Sequence, residues 1–256
     1  MTFVDLPHRH ILRTRVHLTS YTDVGERLLQ AIRDQQWGYV AIANVHMVMT
    51  GYGQADFQQI INNALITTPD GMPLVWGLRL FGLKNATRVY GPDLMLHCCG
   101  IAAQEKFPIY LYGSRPETLE KLQQNLLATF PHLVIAGAVA PPFRPLTAEE
   151  EKIMLNDIIQ SGAKLIFVGL GCPKQERWMA KYTDQLPGIL LGVGAAFDFH
   201  AGTVSQAPRW MMRLGLEWFF RLLQEPQRLW KRYVVNNTIF VVLFLVQFVK
   251  VRLRSS

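Results

Sequence analysis

Short apolar runs alternate with amphipathic stretches along the first 200 residues of the chain. Six of them read as strands: YVAIAN (39–44), ALITT (64–68), IYLYG (109–113), LVIAGA (133–138), KLIFVG (164–169) and ILLGVG (189–194). Most are apolar throughout and do not alternate, the pattern of strands buried on both faces. The stretches between them carry helix signals. SRPETLEKLQQNLLATF opens with Ser114 and has Glu117 three residues on, a capping-box spacing. TAEEEKIMLNDIIQSG repeats it with Thr147 and Glu150, and Gly162 suits a helix C-terminus. Strands alternating with helices predict βαβ units. The expected fold class is α/β, a Rossmann-like, mostly parallel sheet flanked by helices. There is no internal repeat, and APPFRPL (140–146) reads as a loop within one domain.

The pattern changes after Pro208. RWMMRLGLEWFFRLLQ predicts one helix, Pro226 interrupts it, and the rest predicts a second, long helix. Its uncharged run from Tyr233 to Phe248 contains Asn236, Asn237 and Gln247. The strictly apolar part, Ile239 to Val246, falls short of the ~20 residues that span a bilayer. A helix lying in the membrane interface is the expectation. The chain thus divides into an α/β domain, 1–207, and a helical appendage, 208–256, expected to associate with a membrane.

Charge sharpens this division. Residues 1–208 hold 17 Lys/Arg and 17 Asp/Glu, whereas residues 209–256 hold nine and two. The whole net charge of +7 therefore sits in the apolar tail. A basic tail with apolar faces fits an anionic membrane surface or a lipid phosphate. It lacks the polar character of a nucleic-acid arm, so no nucleic-acid partner is expected. The three cysteines, Cys98, Cys99 and Cys172, form no CxxC pair and no disulfide framework, which suits a cytoplasmic protein. The N-terminus has no apolar signal segment.

In parallel sheets, ligands bind beyond the carboxyl ends of the strands. Six loops beside such ends carry polar residues. TPDGMPLVWG sets Asp70 between Pro69 and Gly71, either as an acid that does chemistry or as a helix cap. IANVHMV brings Asn44 and His46, and RVYGPDLM brings Arg88, with Asp93 placed to cap the helix near Pro92. YGSRPETL and GLGCPKQERW add Gly113, Ser114, Gly169, Gly171, Lys174 and Gln175, glycines and a helix start that suit an anion. Neither loop is a phosphate-binding GxxxxGK[ST] or a GxGxxG, and the first strand lacks a dinucleotide fingerprint, which weakens a nicotinamide oxidoreductase reading. Asp198 and His200 in GVGAAFDFHAG lack a third ligand at metal spacing.

Taken in order, TPDGMPLVWG, RVYGPDLM, YLYGSRPETL, GLGCPKQERWM, GVGAAFDFHAG and APRWMMRLGLEWFFRLLQEPQRLWKRY resemble the WecG/TagA/CpsF family of glycosyltransferases. The resemblance covers about residues 15 to 235. It implies inverting transfer of a sugar, typically N-acetylmannosamine, from a UDP donor to a polyprenyl-diphosphate-linked sugar at the cytoplasmic membrane face. The products feed teichoic acid, common-antigen or exopolysaccharide synthesis. Glucose and uronic acids are alternative donor sugars, no cofactor or metal is implied, and a homo-oligomer stays open. By the same resemblance Asp70 is the general base. Asn44, Arg88 and Gln175, with Lys174 beside them, bind donor or acceptor, and Arg221, Arg228 and Arg232 are the tail arginines that meet diphosphate. The family's threonine near Asn44 is missing, since Ile42 and Ala43 stand there.

Overall fold

A computed structural model describes residues 6–255 of the chain. It opens with an antiparallel hairpin, β1 (His8–Ile11) and β2 (Thr14–His17), which the sequence pattern did not announce. Helix α1 (Tyr21–Arg33) follows, held at its start by a capping box between Ser20 and Asp23. Strand β3 (Gly38–Ala43), helices α2 (Val45–Gly53) and α3 (Ala55–Asn63), strand β4 (Ile66–Pro69) and helix α4 (Met72–Leu80) form the first half of the main body. The second half runs through α5 (Gly91–Glu105), β5 (Ile109–Gly113), α6 (Pro116–Thr129), β6 (Ile135–Val139), α7 (Ala148–Gln160), β7 (Leu165–Gly169), α8 (Lys174–Tyr182), β8 (Ile189–Gly192) and α9 (Ala196–His200). The tail comprises α10 (Arg209–Arg213), α11 (Glu217–Gln224), α12 (Pro226–Trp230), a π-helical turn (Lys231–Val235) and α13 (Asn236–Ser255).

All six predicted strands exist and form one sheet in the order β4-β3-β8-β7-β5-β6, every pair parallel. Their two faces feed two separate cores. Along β3, Tyr39, Ala41 and Ala43 join one core with Val48, Phe57 and Leu74; Val40 and Ile42 join the other with Leu94 and Cys98. Burial on both faces is why the strands read as continuous apolar runs.

Two local expectations are corrected. Ser114 is not the cap of α6: its φ of 60° is left-handed, which turns its hydroxyl away from the helix, and Arg115 takes the cap position without a side-chain bond. The Thr147–Glu150 box on α7 does form, and Gly162 adopts φ 66° just past that helix. The stretch RWMMRLGLEWFFRLLQ is two helices, not one. Gly215 breaks it at φ 72°, in a place where a Cβ would meet Trp76 and Met72 of α4 at 3.0–3.1 Å. That glycine lets the tail press against α4.

The last helix is bound to the main body along one side. Phe240 is buried, Phe244 lies 5.4 Å from Phe81, and Asn236 meets His46 at 3.3 Å. Halfway along, Gln247 accepts from the Leu12 N–H at 2.8 Å and donates to the His10 carbonyl at 2.7 Å, both on the hairpin. The opposite side exposes Val242, Val246, Val249 and Leu253. By length and composition the helical stretch Pro226–Leu253 is sufficient to cross a membrane. Counting only the strictly apolar run understated its reach, because Thr238 and Gln247 interrupt that run but not the helix.

Gly113 ends β5 with φ 132°, and a Cβ there would lie 2.6 Å from the backbone carbonyl of Gly169 at the end of β7. Both the backbone angle and the space require glycine. Gly113→Ala is expected to cost about 2–4 kcal/mol of stability, read as a lowered urea midpoint.

Candidate active site

The polar loops converge at the carboxyl ends of the strands. Asp70 directly follows the last residue of β4, and its N–H donates to the Ala43 carbonyl of neighbouring β3 at 2.8 Å. Gly71 is the cap of α4 and no side chain caps that helix. The cap reading of Asp70 therefore fails, and its carboxylate turns to Arg88, whose Nη2 lies 3.3 Å from Asp70 Oδ1. Arg88 Nε also donates to the Asp70 backbone carbonyl, and the Gly91 N–H at the start of α5 donates to the carboxylate. Burial pushes the Asp70 carboxyl up to about 6; Arg88 pulls against that, and a second carboxylate, Glu217, adds to it.

Glu217 comes from the tail. Its Oε2 accepts from Arg88 Nη2 at 2.6 Å and its Oε1 from the Tyr90 hydroxyl at 3.3 Å. Arg88 also lies over the Tyr90 ring, 4.2 Å from its centre. The side chains of Asp70, Arg88 and Glu217 are only 16–17% exposed. Two carboxylates and a phenol thus surround one guanidinium that is held firmly in its charged form.

A cavity of about 430 Å³ opens beside this cluster. Asn44, Asp70, Arg88, Glu217 and Arg221 line its polar end. Trp76 and Leu80 of α4 and Phe240, Phe244 and Leu245 of α13 line the rest, so it is mainly apolar. Asn44 caps α2, accepting from the Met47 N–H at 3.1 Å, and this holds it at the cavity wall. Arg221 sits on the Phe199 ring at 5.7 Å.

The other predicted residues lie further along the same sheet edge. Ser114 N–H donates to the Gly169 carbonyl at 3.1 Å, and its hydroxyl lies 3.4 Å from Asp198 Oδ1. Burial pushes Asp198 up, while Ser114, Arg115, Arg221 and Arg228 pull it down, so the tail arginines reach this region too. Gln175 is buried and its amide is engaged within the fold. It accepts from the Gly171 N–H at 3.1 Å and donates to the Gly192 carbonyl at 3.0 Å and to Glu176 at 2.8 Å. Lys174 stands exposed at the start of α8. Arg228 pairs with Glu225 at 2.6 Å on the surface, and the Arg232 side chain lies outside the described residues. Asp93 does not cap α5, since Tyr90 precedes that helix; it pairs with Arg209 at 2.8 Å. Cys98 and Cys99 are fully buried, with the Cys98 thiol pushed up to about 12, which leaves them inert. Among the described residues, no three His, Cys, Asp or Glu side chains cluster as a metal site.

Sequence reasoning missed Glu217 and Tyr90. A signal for the first was present: it is one of only two acids in a basic, apolar tail, and it follows the Gly215 break.

A parallel sheet with its polar crevice at the strand ends, one buried acid beside an arginine and a basic helical tail closing over both has the layout of a Rossmann-like glycosyltransferase. The chain belongs to the glycosyl transferase WecG/TagA/CpsF family, whose model matches residues 9–254. It is similar to an N-acetylglucosaminyldiphosphoundecaprenol N-acetyl-beta-D-mannosaminyltransferase of Bacillus subtilis (strain 168), with 29% identity over 84% of this chain and 82% of that protein. A protein of the same description from Bacillus spizizenii (strain ATCC 23059 / NRRL B-14472 / W23) is 28% identical over 78% of this chain and 76% of its own length.

The raised carboxyl has a stability consequence. Stability from Asp70 is fully present below its ordinary value of 3.8 and is lost as pH rises through about 6, where the buried group must ionise. Asp70→Asn keeps the shape and removes that charge. It is expected to melt higher than the parent at pH 8, with the gap closing towards pH 4, as read by differential scanning fluorimetry.

Proposed function

We propose that the enzyme moves a sugar, N-acetylmannosamine first among candidates, from UDP to a hydroxyl of a sugar carried on a polyprenyl diphosphate, with inversion. The observation that carries this reading is the two-natured cavity at Asp70, polar at the sheet and apolar towards α4 and α13. A lipid-linked acceptor needs both kinds of wall. The names of the Bacillus relatives support the acceptor and the sugar.

In this mechanism Asp70 accepts the proton of the acceptor hydroxyl as its oxygen attacks the anomeric carbon. The bond from that carbon to the diphosphate oxygen breaks, and UDP leaves with the electron pair. Arg88 offsets the charge that develops on the leaving group. The donor nucleotide lies along the loops of Gly113, Ser114, Gly169, Gly171 and Lys174, with Asp198 near. Gln175 supports that loop through its hydrogen bonds. Arg221, Arg228 and Arg232 take the lipid diphosphate, for which guanidinium forks are suited. No metal or other cofactor takes part.

Residues 208–256 form the appendage that joins the catalytic domain, 1–207, to the cytoplasmic face of the membrane as a peripheral protein. The exposed row Val242, Val246, Val249 and Leu253 is the surface that enters the interface. The basic excess of the tail adds attraction to anionic lipid.

The direct test is UDP release by the protein in anionic vesicles, with UDP-N-acetylmannosamine and a polyprenyl-diphosphate-linked N-acetylglucosamine. UDP-glucose and a UDP-uronic acid serve as parallel arms. Acceptor-dependent release is expected, and silence with every donor overturns the reading. Asp70→Asn is expected to lower kcat by about 10²–10⁴-fold. In the parent, kcat/KM is expected to fall as pH drops below about 6, where Asp70 takes up a proton. A Val246→Glu, Val249→Glu double variant is expected to lose co-sedimentation with anionic vesicles while retaining its fold by circular dichroism.

A further inference from the structure

The proposed mechanism gives Glu217 no role, yet the residue stands at the centre of the buried charges. It is the first residue of α11, beyond the Gly215 break, and belongs to a different part of the chain from Asp70, Arg88 and Tyr90. Its two carboxylate oxygens are divided between Arg88 Nη2 at 2.6 Å and the Tyr90 hydroxyl at 3.3 Å. The contact from Arg88 to Glu217 is shorter than the one from Arg88 to Asp70, 3.3 Å. A charge-assisted bond of that length in a half-buried site sets the direction of a planar guanidinium.

We propose that Glu217 is a positioning residue of the reaction: it fixes the Arg88 guanidinium between the general base and the Tyr90 ring. This rests on the transferase reading of the same cavity. Arg88 then presents a fixed face to Asp70 and to the developing charge on the leaving diphosphate. Without Glu217 the guanidinium is free to close fully on Asp70 and neutralise the base.

The groups facing Asp70 make the effect readable. Arg88 and Tyr90 come from the loop before α5, Gly91 N–H from α5 itself, Tyr21 from α1, His46 from α2, and Glu217 and Arg221 from α11. Only Glu217 among them adds a formal negative charge. Glu217→Gln keeps an oxygen that accepts from Arg88 and deletes the charge. Asp70 in that variant is expected to ionise more readily.

The experiment follows Asp70 directly, by the carboxyl ¹³C shift of aspartate-labelled protein through pH, with the signal assigned by Asp70→Asn. In Glu217→Gln the midpoint is expected to move down by about half a unit or more. The acid limb of kcat/KM is expected to move with it. In Glu217→Ala kcat is expected to fall about 10–100-fold with KM for the donor little changed. Glu217→Asp, which shortens the reach by one methylene, is expected to recover part of that loss. An unmoved midpoint in Glu217→Gln, with only vesicle binding or melting temperature reduced, overturns the proposal and leaves Glu217 as a fastening for the tail. The titration needs no turnover. A moved midpoint in a protein that transfers no sugar would overturn the transferase reading while leaving the Glu217–Arg88–Asp70 arrangement standing.

Discussion

A parallel sheet buried on both faces leaves polar residues one place to go. All the strands but the edge strand β6 are buried, and the side chains of β3 alternate between two apolar cores. A charge within a strand would be stranded in one core or the other, at a large desolvation cost. The chemistry is therefore displaced to the strand ends, where Asp70, Asn44, Gly113 and Gly169 all stand. The tail covers the part of that edge around Asp70, which removes this carboxyl from water without closing the cavity beside it.

Within that cover, one arginine holds the balance. Arg88 reaches the Asp70 carboxylate, the Asp70 carbonyl, the Tyr90 ring and Glu217. A buried carboxylate next to a cation would ordinarily be a strong acid and a poor base. Here a second carboxylate shares the cation, and burial opposes ionisation, so the acid is displaced towards the range in which a general base operates. Two carboxylates in different environments around one cation can carry different duties. Both line the cavity, but only Glu217 also accepts from the Tyr90 hydroxyl.

The sheet was legible because its signal is repeated: six apolar runs of strand length, each followed by a glycine or polar loop, leave little room for another topology. That Asp70 and Asn44 stand together was legible for the same reason, since each directly follows a strand, β4 and β3. What stayed hidden depends on contacts between distant segments. The role of Ser114 turned on a left-handed backbone that local spacing does not encode. Glu217 lies 147 residues beyond Asp70 in the chain, and nothing local says that α11 folds back onto β4. The hairpin was missed because HRHI and TRVH are short and polar, and their pairing is stabilised by the body they rest on.

Gln247 has a consequence beyond its two hydrogen bonds. An apolar helix on a protein surface can roll about its axis or slide along it, because dispersion contacts with Phe and Val are nearly interchangeable. A primary amide bonded to both an N–H and a carbonyl of one hairpin turn permits neither movement. The outward row of α13 consequently keeps a constant angle and a constant height relative to the strand ends. Any surface that meets this row meets a ruler: its distance to the Asp70 carboxylate is set by the protein.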